Sequence, residues 1–295
     1  MKENKIIFHA DDFGANLEIS EHILDCFREG ALNSLSVLPN SPYLAECMKL
    51  LEAYRSEIAV SLHLNLAEGH CEAEPSQVSW LVDERGMFSI SFFKVLLLSF
   101  TGKRKELKRQ VQAEMKAQIR RMLPYVDCLR LDSHQHYHMI PLVLGSILDA
   151  IEKLKQEGES VPEIEFIRIP AEPILPFLKH PSFYVTYRPI NLIKNVVLNV
   201  LNVLDASLLK PYRKKSAVFF GILLSGKMDY HRVSVLRSDF LKIAEKKGLP
   251  LEILCHPGGV KTPEELLDQE NKGCVEFYLS EGRGIEKEML KRMER

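Results

Sequence analysis

Apolar residues in this chain fall into short runs separated by longer stretches of helical periodicity. Residues 5–8, 34–38, 58–64, 128–131, 164–169, 218–224 and 251–255 have the length and branched or aliphatic content of buried strands. Between them, residues 17–28 carry Leu17, Ile19, Ile23, Leu24 and Phe27, with Gly30 following as a C-terminal stop. Residues 105–123 place Leu107, Val111, Met115, Ile119 and Leu123 at four-residue steps, one buried stripe on an otherwise solvated helix. Residues 141–155, opening on Pro141, and residues 233–247 repeat the theme.

Strand–helix alternation without hairpins predicts a mainly parallel sheet covered by helices. No Gly/Ser/Pro-rich linker divides the chain, so the expected fold is α/β: a single (β/α) barrel over residues 1–295, with about seven parallel strands and incomplete or distorted closure. The segment 170–216 is too long for a simple connection and reads as an insertion that roofs the site. Its apolar stretch 192–209 carries Lys194, Asn195, Asn199, Asn202 and Asp205, which predicts an amphipathic helix and not a membrane span.

Composition narrows the function classes. Of 295 residues, 46% are hydrophobic and 27% charged, ordinary globular values that exclude disorder and coiled coil. Lys plus Arg (39) against Asp plus Glu (40) leaves a formal charge of −1, so nothing favours a nucleic-acid partner. The apolar run after the N-terminus is too short for a secretory leader, and the six cysteines lie far apart without CxxC. The expectation is a cytoplasmic protein with reduced thiols and neither membrane nor nucleic-acid partner.

Four polar clusters sit at or just past strand ends, where barrels place their chemistry. Asp11 and Asp12, in HADDFG at 9–14, offer a metal ligand beside a base, or caps for the next helix. In SLHLNL at 61–66, alternation puts Ser61, His63 and Asn65 on one face. In DSHQHYHM at 132–139, His134, His136 and His138 share a face if the strand continues and fan around one point if it turns; Asp132 stands ready to fix a tautomer. His256 closes the set in CHPGG at 255–259, and alternation makes Cys255 a core residue rather than a nucleophile. A set of Asp and His ligands suits a divalent cation, Zn²⁺ better than Mg²⁺, and hydrolytic chemistry. No GxxxxGK[ST] or GxGxxG motif supports nucleotide chemistry.

In this order, HADDFG, HLNL with Glu68-Gly69, DSHQHYHMIP and HPG, together with NSLSVLPN at 33–40, IRIP at 167–170 and GILLSG at 221–226, resemble the YdjC/ChbG-like carbohydrate deacetylases over nearly the whole chain. The resemblance implies removal of N-acetyl groups from sugars of the chitooligosaccharide type, with one Zn²⁺ or Mg²⁺ held by Asp12, His63 and His134. It implies Asp11 as the base acting on water, and His256 as the acid that protonates the departing amine or steadies the oxyanion. Arg168, His136 and His138 become candidate substrate contacts. Arg168 is equally readable as a buried salt bridge, and His136 and His138 as supports behind the ligands. A homodimer is the typical assembly of such relatives. Hydrolysis of another bond, an O-acetyl ester or a glycosidic linkage, and sugar binding without catalysis are the alternatives.

Overall fold

A computed structural model describes residues 5–263, 266 and 268–294. Seven strands form one parallel sheet: β1 (Ile6–Phe13), β2 (Ser34–Val37), β3 (Ala59–Leu64), β4 (Leu129–Ser133), β5 (Ile164–Ile167), β6 (Val218–Phe220) and β7 (Leu251–Cys255). Their order across the sheet is β5-β4-β3-β2-β1-β7-β6, which is chain order wrapped into a curl and left open between β5 and β6. The gap is bridged through the backbone before β6, where Ile167 donates its N–H to the Lys215 carbonyl at 2.8 Å. The fold is therefore an incomplete (β/α) barrel, with every strand expected from the sequence in place.

The helices are α1 (Leu17–Glu29), α2 (Leu44–Leu51), α3 (Phe92–Leu98), α4 (Arg104–Met122), α5 (Pro141–Gln156), α6 (Leu175–Leu178), α7 (Pro189–Leu204), α8 (Ala206–Leu209), α9 (Tyr230–Lys247), α10 (Lys272–Tyr278) and α11 (Glu281–Arg292). On α4 the stripe Leu107, Val111, Met115, Ile119 is fully buried against α5 and the sheet. Each such side chain contributes about 1.5–3 kcal/mol by leaving water. Pro141 opens α5 as expected.

Three sequence expectations need correction. The first strand does not stop at Phe8 but runs to Phe13, so the HADD residues lie inside β1. The helix read over 192–209 starts at Pro189, breaks at Asp205 and bends there by 73°. Gly30 does end α1, but in an extended conformation and not as a left-handed stop; an added Cβ would meet the Leu290 carbonyl oxygen at 2.3 Å. It is a glycine because α11 packs there, backbone against backbone.

The barrel interior is polar. His9 and Asp11 on β1, Ser34 and Ser36 on β2, Ser61 and His63 on β3, Asp132 on β4 and Glu252 on β7 are all buried. Their strand neighbours Phe8, Ala10, Leu35, Leu62, Leu131 and Ile253 join the hydrophobic core. This alternation is the period-two rule of a strand with two unlike faces.

Candidate metal centre and active site

The site grows from an irregularity in β1. Strict alternation would send Asp12 away from Asp11. Between Ala10 and Phe13, however, the register with β2 shifts, and Asp12 takes a positive φ of 70°. That conformation costs a non-glycine residue roughly 1–2 kcal/mol, and its effect is to aim both carboxylates at one imidazole. His63 Nε2 lies 3.8 Å from Asp11 Oδ2 and 3.6 Å from Asp12 Oδ1. The helix-capping reading of the Asp pair does not hold: Asn16 caps α1, accepting from the Ile19 N–H at 2.7 Å.

After β4 the chain turns sharply, with Gln135 at φ 50° and His136 at φ 61°. The three histidines diverge as a result. His134 Nδ1 reaches Asp12 Oδ1 at 3.2 Å and His63 Nε2 at 3.4 Å. His138 is buried behind the site, sharing hydrogen bonds with Ser133 Oγ (2.6 Å) and the Arg168 carbonyl (3.0 Å). His136 packs edge-on against Phe219, and its Nδ1 has no partner among the described residues. Burial first, and then Arg168 and His138, hold His136 well below the usual histidine range.

Asp12 Oδ1, His63 Nε2 and His134 Nδ1 thus form a triangle with edges of 3.2, 3.4 and 3.6 Å. Donors bound tetrahedrally at about 2.0–2.1 Å from a cation stand roughly 3.3–3.4 Å apart, so the spacing fits a metal. Two further observations agree. Asp12 Oδ1 is buried and accepts no hydrogen bond among the described residues. Around the triangle, the buried carboxylates Asp11, Asp12, Glu68, Asp132, Glu252 and Glu286 face, among the described residues, two buried guanidiniums, Arg168 and Arg283. A cation relieves that excess of negative charge. Burial alone would lower His63, but Asp11, Asp12 and Asp132 outweigh it and push the imidazole up to about 10, which reports the same excess.

Each side chain of the triangle is oriented from behind. Asp132 Oδ1 lies 2.6 Å from His63 Nδ1, which leaves Nε2 as the free donor. The sequence placed Asp132 beside the histidines of its own segment; the sheet instead pairs it with His63 across β3 and β4. Behind His134, Glu68 Oε1 lies 3.6 Å from Nε2 and accepts from the Tyr278 hydroxyl at 2.6 Å. Arg283 Nη1 donates to Asp12 Oδ2 at 2.8 Å.

Asp11 is held differently. Arg168 grips it with two parallel bonds of 2.9 Å, and Ser36 Oγ donates to Oδ1 at 2.8 Å. Burial would raise its carboxyl, but Arg168, His63 and His9 outweigh that and keep it well below the usual carboxylate range. Arg168 is 0% exposed and directs its Nε–H at Glu252 Oε1 (2.9 Å), so of its two sequence readings the structure displays the salt bridge. His256, just past β7, presents Nε2 at 3.9 Å from Asp11 Oδ2. Its backbone N–H donates to Glu286 Oε2 at 2.6 Å, and its ring stands edge-on to Phe277. The Pro-Gly turn that follows needs its glycine: Gly258 has φ +77°, and a Cβ would meet the His22 side chain at 2.3 Å. Cys255 is a fully buried free thiol that burial pushes well up.

Sequence reasoning missed Arg283 and Glu286, both on α11, and the role of Glu68. The alternating pattern that flags strand residues has no counterpart for a charged residue on the buried side of a helix, other than its place among Met289 and Leu290.

The profile of the YdjC-like protein family matches residues 5–292. A carbohydrate deacetylase of Thermoanaerobacter pseudethanolicus is 27% identical over 158 residues, covering 53% of this chain and 60% of its own. A carbohydrate deacetylase of Danio rerio is 29% identical over 177 residues, covering 59% and 52%. The matched stretch thus spans about half to three-fifths of these curated relatives. A solved structure from Enterococcus faecalis V583, provisionally named a cellobiose-phosphate cleavage protein, superimposes with a TM-score of 0.62 at 19% identity, over 97% of this chain and 90% of that one. With the profile running from the first strand to the last helix of this barrel, the chain belongs to the YdjC-like family.

Proposed function

We propose that the protein is a metal-dependent carbohydrate deacetylase that removes the N-acetyl group from a sugar or oligosaccharide of the chitooligosaccharide type and releases acetate. The observation that carries this reading is the triangle of Asp12, His63 and His134 with a carboxylate, Asp11, beside it and an imidazole, His256, beyond. The relatives named carbohydrate deacetylases support the same chemistry. The three ligands would hold a divalent cation, and two imidazoles with one carboxylate at tetrahedral spacing favour Zn²⁺ over Mg²⁺. Bound there, the ion lowers the pKa of water to about 7 and polarises a carbonyl oxygen.

The chain's own residues supply the rest. Asp11 orients the attacking water and accepts its proton at Oδ2, the oxygen facing His63 and His256. Arg168 and Ser36 fix that carboxylate so that it has one direction to act in. His256 delivers a proton from Nε2 to the departing sugar nitrogen, its ring set edge-on to Phe277 and its backbone N–H held by Glu286. His138 acts at one remove, tied to the backbone of Arg168. His136, packed on Phe219, keeps a buried Nδ1 without a partner among the described residues.

The test is release of acetate from N-acetylated oligosaccharides, with reducing ends counted in parallel. Acetate without new reducing ends is expected; new reducing ends would replace deacetylation by glycosidic cleavage. Asp11→Asn should lower turnover by about 10²–10⁴-fold with metal content retained, whereas His134→Ala should lose metal by elemental analysis. Near-normal turnover in Asp11→Asn removes it from the role of base.

A further inference from the structure

Helix α7 buries Leu198 and Leu201 together with Asn191 and Asn195 and keeps a second apolar face outside. Its asparagines face the protein: Asn191 donates to the Leu223 carbonyl, and Asn195 and Asn199 donate to the Glu172 carbonyl. Glu172, behind them, accepts the backbone N–H groups of Gly221, Ile222 and Leu223 and so ties the helix to the end of β6. Meanwhile Ile190, Ile193, Val196, Val200 (54% exposed) and Val203 (69%) point to solvent. A helix that ends its contacts at water shows a polar outer face. A second helix also keeps an apolar face outside. Helix α3 and its end expose Phe93, Leu97 (67%) and Phe100 (68%). Both helices lean on the turn that carries His134: Phe92 stacks edge-on to Tyr137, and α7 packs against the same turn.

Charge says what covers these faces. Residues 173–216 contain seven Lys or Arg and a single acid, Asp205, which is buried. Residues 86–105 contain Lys94, Lys103, Arg104 and Lys105 and no acid at all. In a chain of net charge −1, both segments that expose large apolar side chains show only positive charge at their surface. A second copy pairing across a two-fold axis would bring this basic patch against the same basic patch, with no acid exposed on the segment to offset it, which opposes association. An apolar face with basic residues around it matches the interface of an anionic bilayer, where the side chains enter the acyl boundary and lysines meet the headgroups.

We propose that α7 and α3 dock the protein on the surface of an anionic membrane, with the metal-site turn beside the lipid. No single described helix is long and apolar enough to cross a bilayer, and the docking asks for none. It departs from the sequence expectation of no membrane partner, which rested on the absence of a span. It does not depend on the deacetylase reading.

The experiment is co-sedimentation of the full chain with phosphatidylcholine vesicles, with and without phosphatidylglycerol. Binding is expected only with phosphatidylglycerol, and salt should release it. Lys194→Glu should weaken it by roughly fivefold or more. Val200→Glu with Val203→Glu should abolish it while thermal melting stays unchanged, both positions being exposed. Absence of binding at low ionic strength overturns the proposal, as does binding that ignores lipid charge. A solution dimer that Val200→Glu splits into monomers also overturns it and assigns the face to a second copy.

Discussion

Arg168 shows how one side chain sets the condition of several others. It is buried with two parallel bonds to Asp11, one to Glu252 and a contact of 3.4 Å to Asp132. Removing one partner of such a group leaves uncompensated charge in the interior, so Arg168→Met should cost about 3–5 kcal/mol in denaturant unfolding. Arg168→Lys keeps the charge but loses the fork. Burial raises Asp11, and Arg168 is the leading group that lowers it. Weakening that hold lifts the carboxyl, so Asp11 needs a higher pH to stay ionised. The acid limb of the Arg168→Lys pH–rate profile should therefore move to higher pH; an unmoved limb would mean that Asp11 is not the titrating base.

Among the helices, the junction of α7 and α8 holds a group that the fold disfavours. Both carboxylate oxygens of Asp205 are buried without a hydrogen-bond partner among the described residues. Burial pushes the carboxyl up to about 7, only partly offset by Arg213. Between about pH 4 and 7 the folded state then binds the extra proton, so this residue's contribution to stability falls as pH rises through that window. Asp205→Asn should raise Tm at pH 8 by at least about 2 °C, with the gain vanishing towards pH 4. A gain of equal size at both pH values would place its cause outside ionisation.

Taken together, the barrel interior carries more buried negative than positive charge, and the triangle of donors is where a cation would balance it. Chelation should lower Tm, and re-addition of Zn²⁺ at a hundred times its Kd should restore about 2.7 kcal/mol, or about 5 °C. Scanning calorimetry across a Zn²⁺ titration reads this directly. A flat Tm would leave the metal-centre reading without support.

The strands, the α4 stripe and the polar face of β3 were legible along the chain, because alternation and four-residue steps are local consequences of backbone geometry. The resemblance of four short motifs groups Asp12, His63 and His134 from the sequence alone. Three things were decided only by the folded chain. Asp12 turns inward because β1 bulges; one histidine of three reaches the triangle because Gln135 and His136 adopt left-handed conformations; and Arg283 meets Asp12 from 271 positions away. Periodicity cannot carry that information. It reports which way a side chain leaves its own element, whereas the convergence of ligands depends on how far the sheet curls before its edges meet and which helix then closes over the end.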